Sequence, residues 1–317
     1  MAFIWRKLLQ LVIVLLCVTF FSFFMLTLLP GNLADTLCGI GCTQEQRDQK
    51  VEELRLNDPV YIRYADWLGN VARGDFGRSG RTQQDISEAL TERIPVTAEL
   101  VIYSQLLALG IAIPIAVVAA RRAGGVFDRV STTTAFGFLA APPFVVAPVL
   151  VLIFAVNLKW FPATGYTPFL ENPLDNLRTF FLPALTLALA EMAVYMRLLR
   201  TDLISTLQED YITMAKAKGI PPKRILWKHA FRPSTFSLVT VAGLNMGRLI
   251  GGAFVVEVIF SLNGLGKYIV DGILGRDYLA VQAGVVVVAF AYVLINFGVD
   301  LLYAVLDPRI RHARALA

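Results

Sequence analysis

One glycine-rich stretch has part of the residue pattern of a phosphate-binding loop. Gly264, Gly266 and Lys267 stand in the order G-x-G-K. A phosphate-binding loop needs Ser or Thr after the lysine, and a further glycine five residues before the second one. Here Tyr268 follows the lysine, and Ser261 stands where that further glycine would be. We therefore predict that this chain does not hydrolyse a nucleotide.

A second stretch, residues 77–80, has the G-x-S-G order of intramembrane serine proteases. Such an enzyme needs its serine and a histidine base together at membrane depth. Ser79 lies in a polar segment, and the two histidines, His229 and His312, lie in segments that we predict to be cytoplasmic. Nucleophilic catalysis therefore lacks its base, and we predict that the chain is not an enzyme.

The three cysteines fall into two groups. Cys38 and Cys42 are the first and last residues of C-G-I-G-C, in a segment predicted to lie outside the membrane, where a disulfide persists. The two glycines between them let so small a loop close. A metal site is the alternative, although two thiols without a nearby histidine make a poor ligand set. Both interpretations stay open. Cys17 lies in an apolar run and is predicted to be a small apolar side chain.

Five charged residues interrupt apolar stretches. Charges at membrane depth are costly and usually face protein or water. Glu191, Arg248 and Glu257 lie within predicted spans, whereas Glu99 and Asp300 lie near span ends, where an interfacial position explains them. Two interpretations are open: the charges pair across helices and fix the packing, or they line a polar pathway for a solute.

The composition predicts the elements that carry these residues. Hydrophobic residues make up 56% of the 317 and charged residues 17%, which indicates a polytopic membrane protein rather than a soluble domain. No basic stripe with interleaved aromatic residues is present, so the net charge of +5 predicts topology rather than nucleic-acid binding. Apolar runs predict six spans, at about Leu8–Leu29, Val96–Ala120, Ser131–Val156, Phe181–Met196, Phe236–Phe260 and Val281–Leu302.

The basic residues orient these spans. Segments predicted to be cytoplasmic carry 2, 3, 8 and 3 Lys and Arg in chain order, and the two short outer loops carry 2 each. The positive-inside rule then places both termini in the cytoplasm. The insert at 30–95 carries 8 basic and 11 acidic residues and is predicted to lie outside. The first span resembles a signal peptide in position, but its long apolar run without an A-x-A site predicts a retained anchor.

Residues 197–232 break the hydrophobic pattern between two spans. A run from Glu209 to Lys218 is rich in helix formers, Gly219 supplies a helix stop, and two prolines follow. A second helical run extends from Lys223 to Phe231. We predict two short helices joined at Gly219, either as an ordinary basic loop or as a docking element.

This segment resembles the coupling loop of membrane subunits of bacterial binding-protein-dependent ABC importers, in the A-x-A-K-G form of the dipeptide, oligopeptide and nickel branch. Met214 stands where the general pattern has glutamate. The resemblance implies that the loop docks in a groove on a cytosolic ATPase. The residues it assigns to that contact are Tyr211, Met214, Ala215, Lys216, Ala217, Lys218, Gly219, Ile220 and Arg224.

Other strings extend the resemblance over nearly the whole chain. They lie at residues 68–79, 93–100, 142–166 and 251–278. The resemblance implies an all-α permease in the bacterial inner membrane that forms half of a pathway for di- or oligopeptides. Its implied partners are a homologous second permease, two cytosolic ATPases that bind ATP and Mg²⁺, and an outer solute-binding protein. Nickel complexes, glutathione and haem are alternative cargoes on the same scaffold.

The predicted organisation has four parts: a first helix at 1–29, the insert at 30–95, a five-helix core at 96–305 with the coupling loop at 197–232, and a tail at 306–317. The insert is predicted to meet the binding protein, with a passive cap as the alternative. Two other function classes remain: a proton-coupled transporter using Glu191, Glu257 or Asp300, and a membrane scaffold without transport.

Overall fold

The computed structural model describes residues 2–27, 43–53, 55 and 57–306. Within these ranges the protein is helical, and the only strand-like pairing described is an isolated bridge between Arg78 and Asp85. This confirms the predicted all-α class. Cys38 and Cys42 lie outside the described residues, as does the tail from residue 307.

The described residues form eleven helical elements. They are α1 (Ala2–Thr27), α2 (Gln44–Glu53), α3 (Val60–Ala72), α4 (Ile86–Arg121), α5 (Val126–Ala140), α6 (Pro143–Asn157), α7 (Pro173–Leu207), α8 (Asp210–Ala217), α9 (Pro222–Ile259), α10 (Leu265–Leu274) and α11 (Tyr278–Leu306).

Four of these helices contain stretches long and apolar enough to cross a membrane: Ile86–Arg121, Pro173–Leu207, Pro222–Ile259 and Tyr278–Leu301. The bent pair α5 and α6 makes a fifth if it counts as one span, and α1 contains a shorter apolar stretch at Leu9–Met25. Several membrane-spanning helices are therefore present. The count of six spans stays a prediction.

The predicted third span is not one continuous helix. It bends by 108° between α5 and α6. Ala141 has extended backbone angles (φ −86°, ψ 116°), and Pro142 and Pro143 follow it. A residue before proline is disfavoured in the α region, and proline has no N–H to continue the helix. The prediction of a span over 131–156 missed this break because it relied on hydrophobicity alone.

The second of the two predicted short helices is not a separate element either. The predicted run at 223–231 continues without interruption into α9, and its residues Ile225–Phe231 have π-helical geometry. Pro233 lies in the next turn and cannot donate to the carbonyl of residue 229. The wider π turn accommodates this missing donor. The predicted loop also begins too early, because α7 continues to Leu207.

The described residues form two compact units, one of residues 99–262 and 298–306, the other of the described residues before 99 together with 263–297. In the first unit, Ala108, Ala112 and Ala116 recur every four residues on α4 and join a buried cluster with α7 and α9. Small side chains let membrane helices approach closely. A Cβ on Gly243 of α9 would lie 2.6 Å from Val299, so this glycine permits close packing. A Cβ on Gly251 of the same helix would meet nothing within 4 Å.

The second unit joins part of the insert to the segment after α9. Ser79 donates to Asp277, and Thr82 donates to Ser79 over 2.8 Å. Both Ser79 and Asp277 are buried. The G-x-S-G serine is therefore part of a buried structural network rather than an exposed nucleophile. In the same unit α3 packs on α1, where the Tyr64 hydroxyl lies 2.9 Å from that of Thr19.

Candidate functional site

The elbow between α7 and α9, residues 208–221, is the candidate coupling site. The chain leaves α7 at Gln208 and turns at Glu209, whose backbone is extended (φ −65°, ψ 149°). Helix α8 then starts at Asp210 and has Lys216 in its last turn. An acidic residue at the start and a basic residue at the end both favour the helix dipole. The first predicted short helix is confirmed, with bounds close to the predicted ones.

Helix α8 ends in a Schellman motif. The Gly219 N–H donates to the carbonyl of Lys216 over 2.9 Å, and the Ile220 N–H donates to the carbonyl of Ala215 over 3.2 Å. Gly219 has φ +74°, the left-handed conformation that a Cβ opposes. The predicted helix stop at Gly219 is confirmed. The motif reverses the chain within a few residues and so fixes the angle at which α9 begins.

The inner face of the elbow has a small apolar core. Ile212, Ala215 and Ile225 are buried together, with Leu207 and Ile220 packed against them. Ala215 is only 8% exposed. The sequence interpretation placed Ala215 on the face that meets a partner. The structure instead places it between α8 and α9, because Ile212 and Ala215 share the helix face that turns toward Ile225.

The outer face of α8 is exposed. Tyr211 and Met214 are 46% and 59% exposed, and Lys218 lies on the same face at i, i+3 and i+7. Among the other predicted contact residues, Ile220 is half-buried. The rest are exposed: Lys216, Ala217, Gly219 and Arg224. Large apolar side chains beside lysines form a compact amphipathic surface that suits docking into a groove.

Tyr211 connects the two helices of the elbow. Its hydroxyl donates to the carbonyl of His229 over 3.1 Å. The α-helical donor for that carbonyl would be residue 233, which is a proline. Partial burial and the nearby charge of Glu209 raise the pKa of Tyr211. The phenol therefore stays protonated at cellular pH and remains a donor.

An ion pair holds the helix that leads into the elbow. Both carboxylate oxygens of Asp128, at the start of α5, accept from the guanidinium of Arg200 on α7, one of them over 2.7 Å. The Gly124 N–H also donates to Asp128 over 2.8 Å. Asp128 is 3% exposed. Sequence reasoning missed this pair, because Asp128 and Arg200 fall in two different segments predicted to lie between spans, and no local spacing relates them.

The intramembrane charges form one cross-helix group. Glu191 on α7 accepts from the Asn245 amide over 2.6 Å and from the Arg248 guanidinium over 3.4 Å, both on α9. Glu191 is buried, whereas the Arg248 side chain is 67% exposed. These two charges therefore contact each other across helices, as in the first of the two interpretations that the sequence left open, and a role in lining a pathway stays a prediction. Asn245 was missed, since an uncharged amide gives no signal in a hydropathy profile.

The remaining predicted charges lie elsewhere. Glu257 is fully buried in α9. Glu99 accepts from Asn176 over 2.8 Å near the loop of residues 158–172, and its interfacial position stays a prediction. Its carboxylate helps to hold that loop, because the same amide nitrogen donates to the Thr167 carbonyl over 2.8 Å. Within the described ranges, no group of three or more His, Cys, Asp and Glu side chains is placed to hold a metal ion.

Two family models together match almost the whole chain. Residues 112–312 match the model described as binding-protein-dependent transport system inner membrane component, and residues 1–101 match the N-terminal model of such membrane components. The chain belongs to this family. The permease is therefore an inner-membrane subunit that works with a solute-binding protein and other transport subunits, and it is not itself catalytic.

Curated relatives match the permease from end to end. It is 39% identical to the oligopeptide transport system permease protein AppB of Bacillus subtilis, over 98% of this chain and 99% of that protein. It is 34% identical to the dipeptide transport system permease protein DppB of Alkalihalophilus pseudofirmus, over 98% and 100%. It is 33% identical to the di/tripeptide transport system permease protein DppB of Pseudomonas aeruginosa, over 99% and 100%.

Proposed function

We propose that this permease imports di- or oligopeptides and forms half of their pathway across the inner membrane. The full-length similarity to permeases named for oligopeptide, dipeptide and di/tripeptide transport supports this cargo class. The homologous second permease supplies the other half of the pathway. Both termini lie in the cytoplasm, as the distribution of Lys and Arg favours.

The elbow is the lever that connects this pathway to ATP hydrolysis. Two cytosolic ATPases bind ATP and Mg²⁺, and each docks one coupling helix. The observation that carries this proposal is the division of α8 into two faces. Ile212 and Ala215 pack inside the elbow, while Tyr211 and Met214 remain exposed. A helix fixed to α9 on one face can transmit motion that a partner applies to the other.

The pathway runs past the exposed side of α9. Arg248 is charged and mostly exposed in a span, and such a residue faces water or protein rather than lipid. Glu191 holds it in place. Glu257 is fully enclosed, so we assign it to packing beside the pathway.

The insert receives the solute-binding protein at the outer surface. Its helix α3 packs on α1, and Ser79 in the same insert donates to Asp277, which lies just before α11. Deleting residues 45–65 should weaken docking of the binding protein while leaving the ATPase subunits bound. Unchanged docking affinity would instead support a passive cap.

The test of the function is peptide uptake by the complete complex in proteoliposomes. Uptake should need loaded binding protein and internal ATP, stop with vanadate and persist when a protonophore removes the proton gradient. Uptake that requires the gradient would support proton coupling, and no uptake of any peptide would contradict the proposal.

A further inference from the structure

Arg248 presents a guanidinium from an apolar helix face. Leu244, Arg248, Gly251 and Val255 recur at i, i+4, i+7 and i+11 on α9, and all four are exposed. Three of them are uncharged, so the arginine is an isolated positive charge on this face. A charge at membrane depth faces a water-filled space or another protein surface rather than lipid.

The Arg248 guanidinium contacts Glu191 but keeps N–H donors that no described hydrogen bond uses. Its contact with Glu191 is long, at 3.4 Å, and the described hydrogen bonds use one of its five N–H donors. Glu191 is held more tightly by Asn245, at 2.6 Å, and so does not depend on the arginine alone. This arrangement orients the guanidinium without occupying it, as a ligand site requires.

The free donors fit a planar anion. An arginine binds a carboxylate through two parallel N–H···O bonds, which is both stronger and more directional than a lysine contact. Gly251 lies one turn further along the same face, and a Cβ there would meet nothing within 4 Å. The face next to the guanidinium therefore has room for the main chain of a peptide.

We propose that Arg248 binds the C-terminal carboxylate of the peptide cargo during its passage, with Glu191 and Asn245 as the positioning residues. This inference rests on the proposed function, because it needs peptide cargo and a pathway along α9. The carboxylate is the anion that every unmodified peptide carries, whatever its side chains. One arginine thus gives selectivity for free peptides without selectivity for sequence.

The test compares one peptide in two forms, with a free and with an amidated C-terminus, in proteoliposomes that hold the complete complex. Both forms are supplied at concentrations that saturate the binding protein, as checked by titration. Arg248→Gln should lower the uptake rate of the free peptide about tenfold and that of the amide less than about twofold. Arg248→Lys should recover part of the loss, since it keeps the charge but not the planar fork.

A matched control is Leu244→Gln, which places the same amide side chain one turn away and should not distinguish the two forms. A second measurement does not depend on uptake of the amide. A free peptide with a photoreactive group in its last residue should crosslink to α9 in the wild type and several-fold less in Arg248→Gln.

Equal losses for both peptide forms, with unchanged crosslinking, would overturn the inference and indicate that Arg248 pairs with the partner permease. No loss for either form would also overturn it. Failure of the proposed function looks different, because the wild-type complex would then import neither form.

Discussion

Replacing Gly219 with valine tests whether the geometry of the elbow matters for coupling. Gly219 has φ +74°, and a Cβ there would meet nothing within 4 Å, so the cost of the change is conformational rather than steric. The left-handed conformation costs an L-residue about 1–2 kcal/mol, and a β-branched residue adopts it least readily. A change of that size shifts the balance between native and alternative elbows by a factor of roughly 5–30.

We expect the Gly219→Val variant to lose coupling although the protein still inserts into the membrane. The two hydrogen bonds of the Schellman motif depend on the backbone conformation at Gly219, so the valine variant presents α8 at the wrong angle. ATP hydrolysis stimulated by loaded binding protein should fall by a factor within that range in the reconstituted complex. Insertion and binding-protein docking should remain.

Gly219→Asn is the matched control, because asparagine tolerates the left-handed conformation better than other residues with a side chain. It should keep most of the stimulation. If the valine and asparagine variants both match the wild type, the shape of this turn has no part in coupling, and our reasoning about the elbow is wrong.

Three further predictions follow from burial and charge. Ala215→Glu buries an unpaired carboxylate in the elbow core and should make the elbow susceptible to limited proteolysis. Ala217→Glu, on the exposed side, should not. Equal digestion patterns for the two variants would contradict the packing. Asp128→Asn removes the charge from a buried ion pair and should cost about 1–3 kcal/mol, seen as a lower melting temperature in detergent. In a background without the three native cysteines, a membrane-impermeant thiol reagent added to intact cells should label Val60→Cys and not Lys218→Cys; labelling of the latter would exclude the predicted orientation.

The sequence predicted the local features of the elbow well, because they depend on local chemistry. Gly219 and the prolines after it predict the end of α8, and α8 ends there in the structure. The bend at Ala141 was missed for a different reason. Hydropathy averages over a window, whereas the break depends on two consecutive prolines that change only a few backbone angles.

The cross-helix contacts were harder to predict. Asp128 and Arg200 are 72 residues apart, and Glu191 and Asn245 are 54 apart, so no periodicity relates them. Burial of Ala215 was missed because its neighbours Ile220 and Ile225 approach it only through the turn at Gly219. The spacing of residues along α8 gives its two faces, but it does not say which face packs inside.

The most direct test of the coupling proposal is a crosslinking comparison between two adjacent residues of α8. Met214 is 59% exposed and Ala215 is 8% exposed. In the assembled complex, Met214→Cys should crosslink to an ATPase subunit through a short bifunctional reagent, and Ala215→Cys should not. Crosslinking of Met214→Cys to the solute-binding protein, or none to the ATPase in a complex that still hydrolyses ATP, would contradict the account.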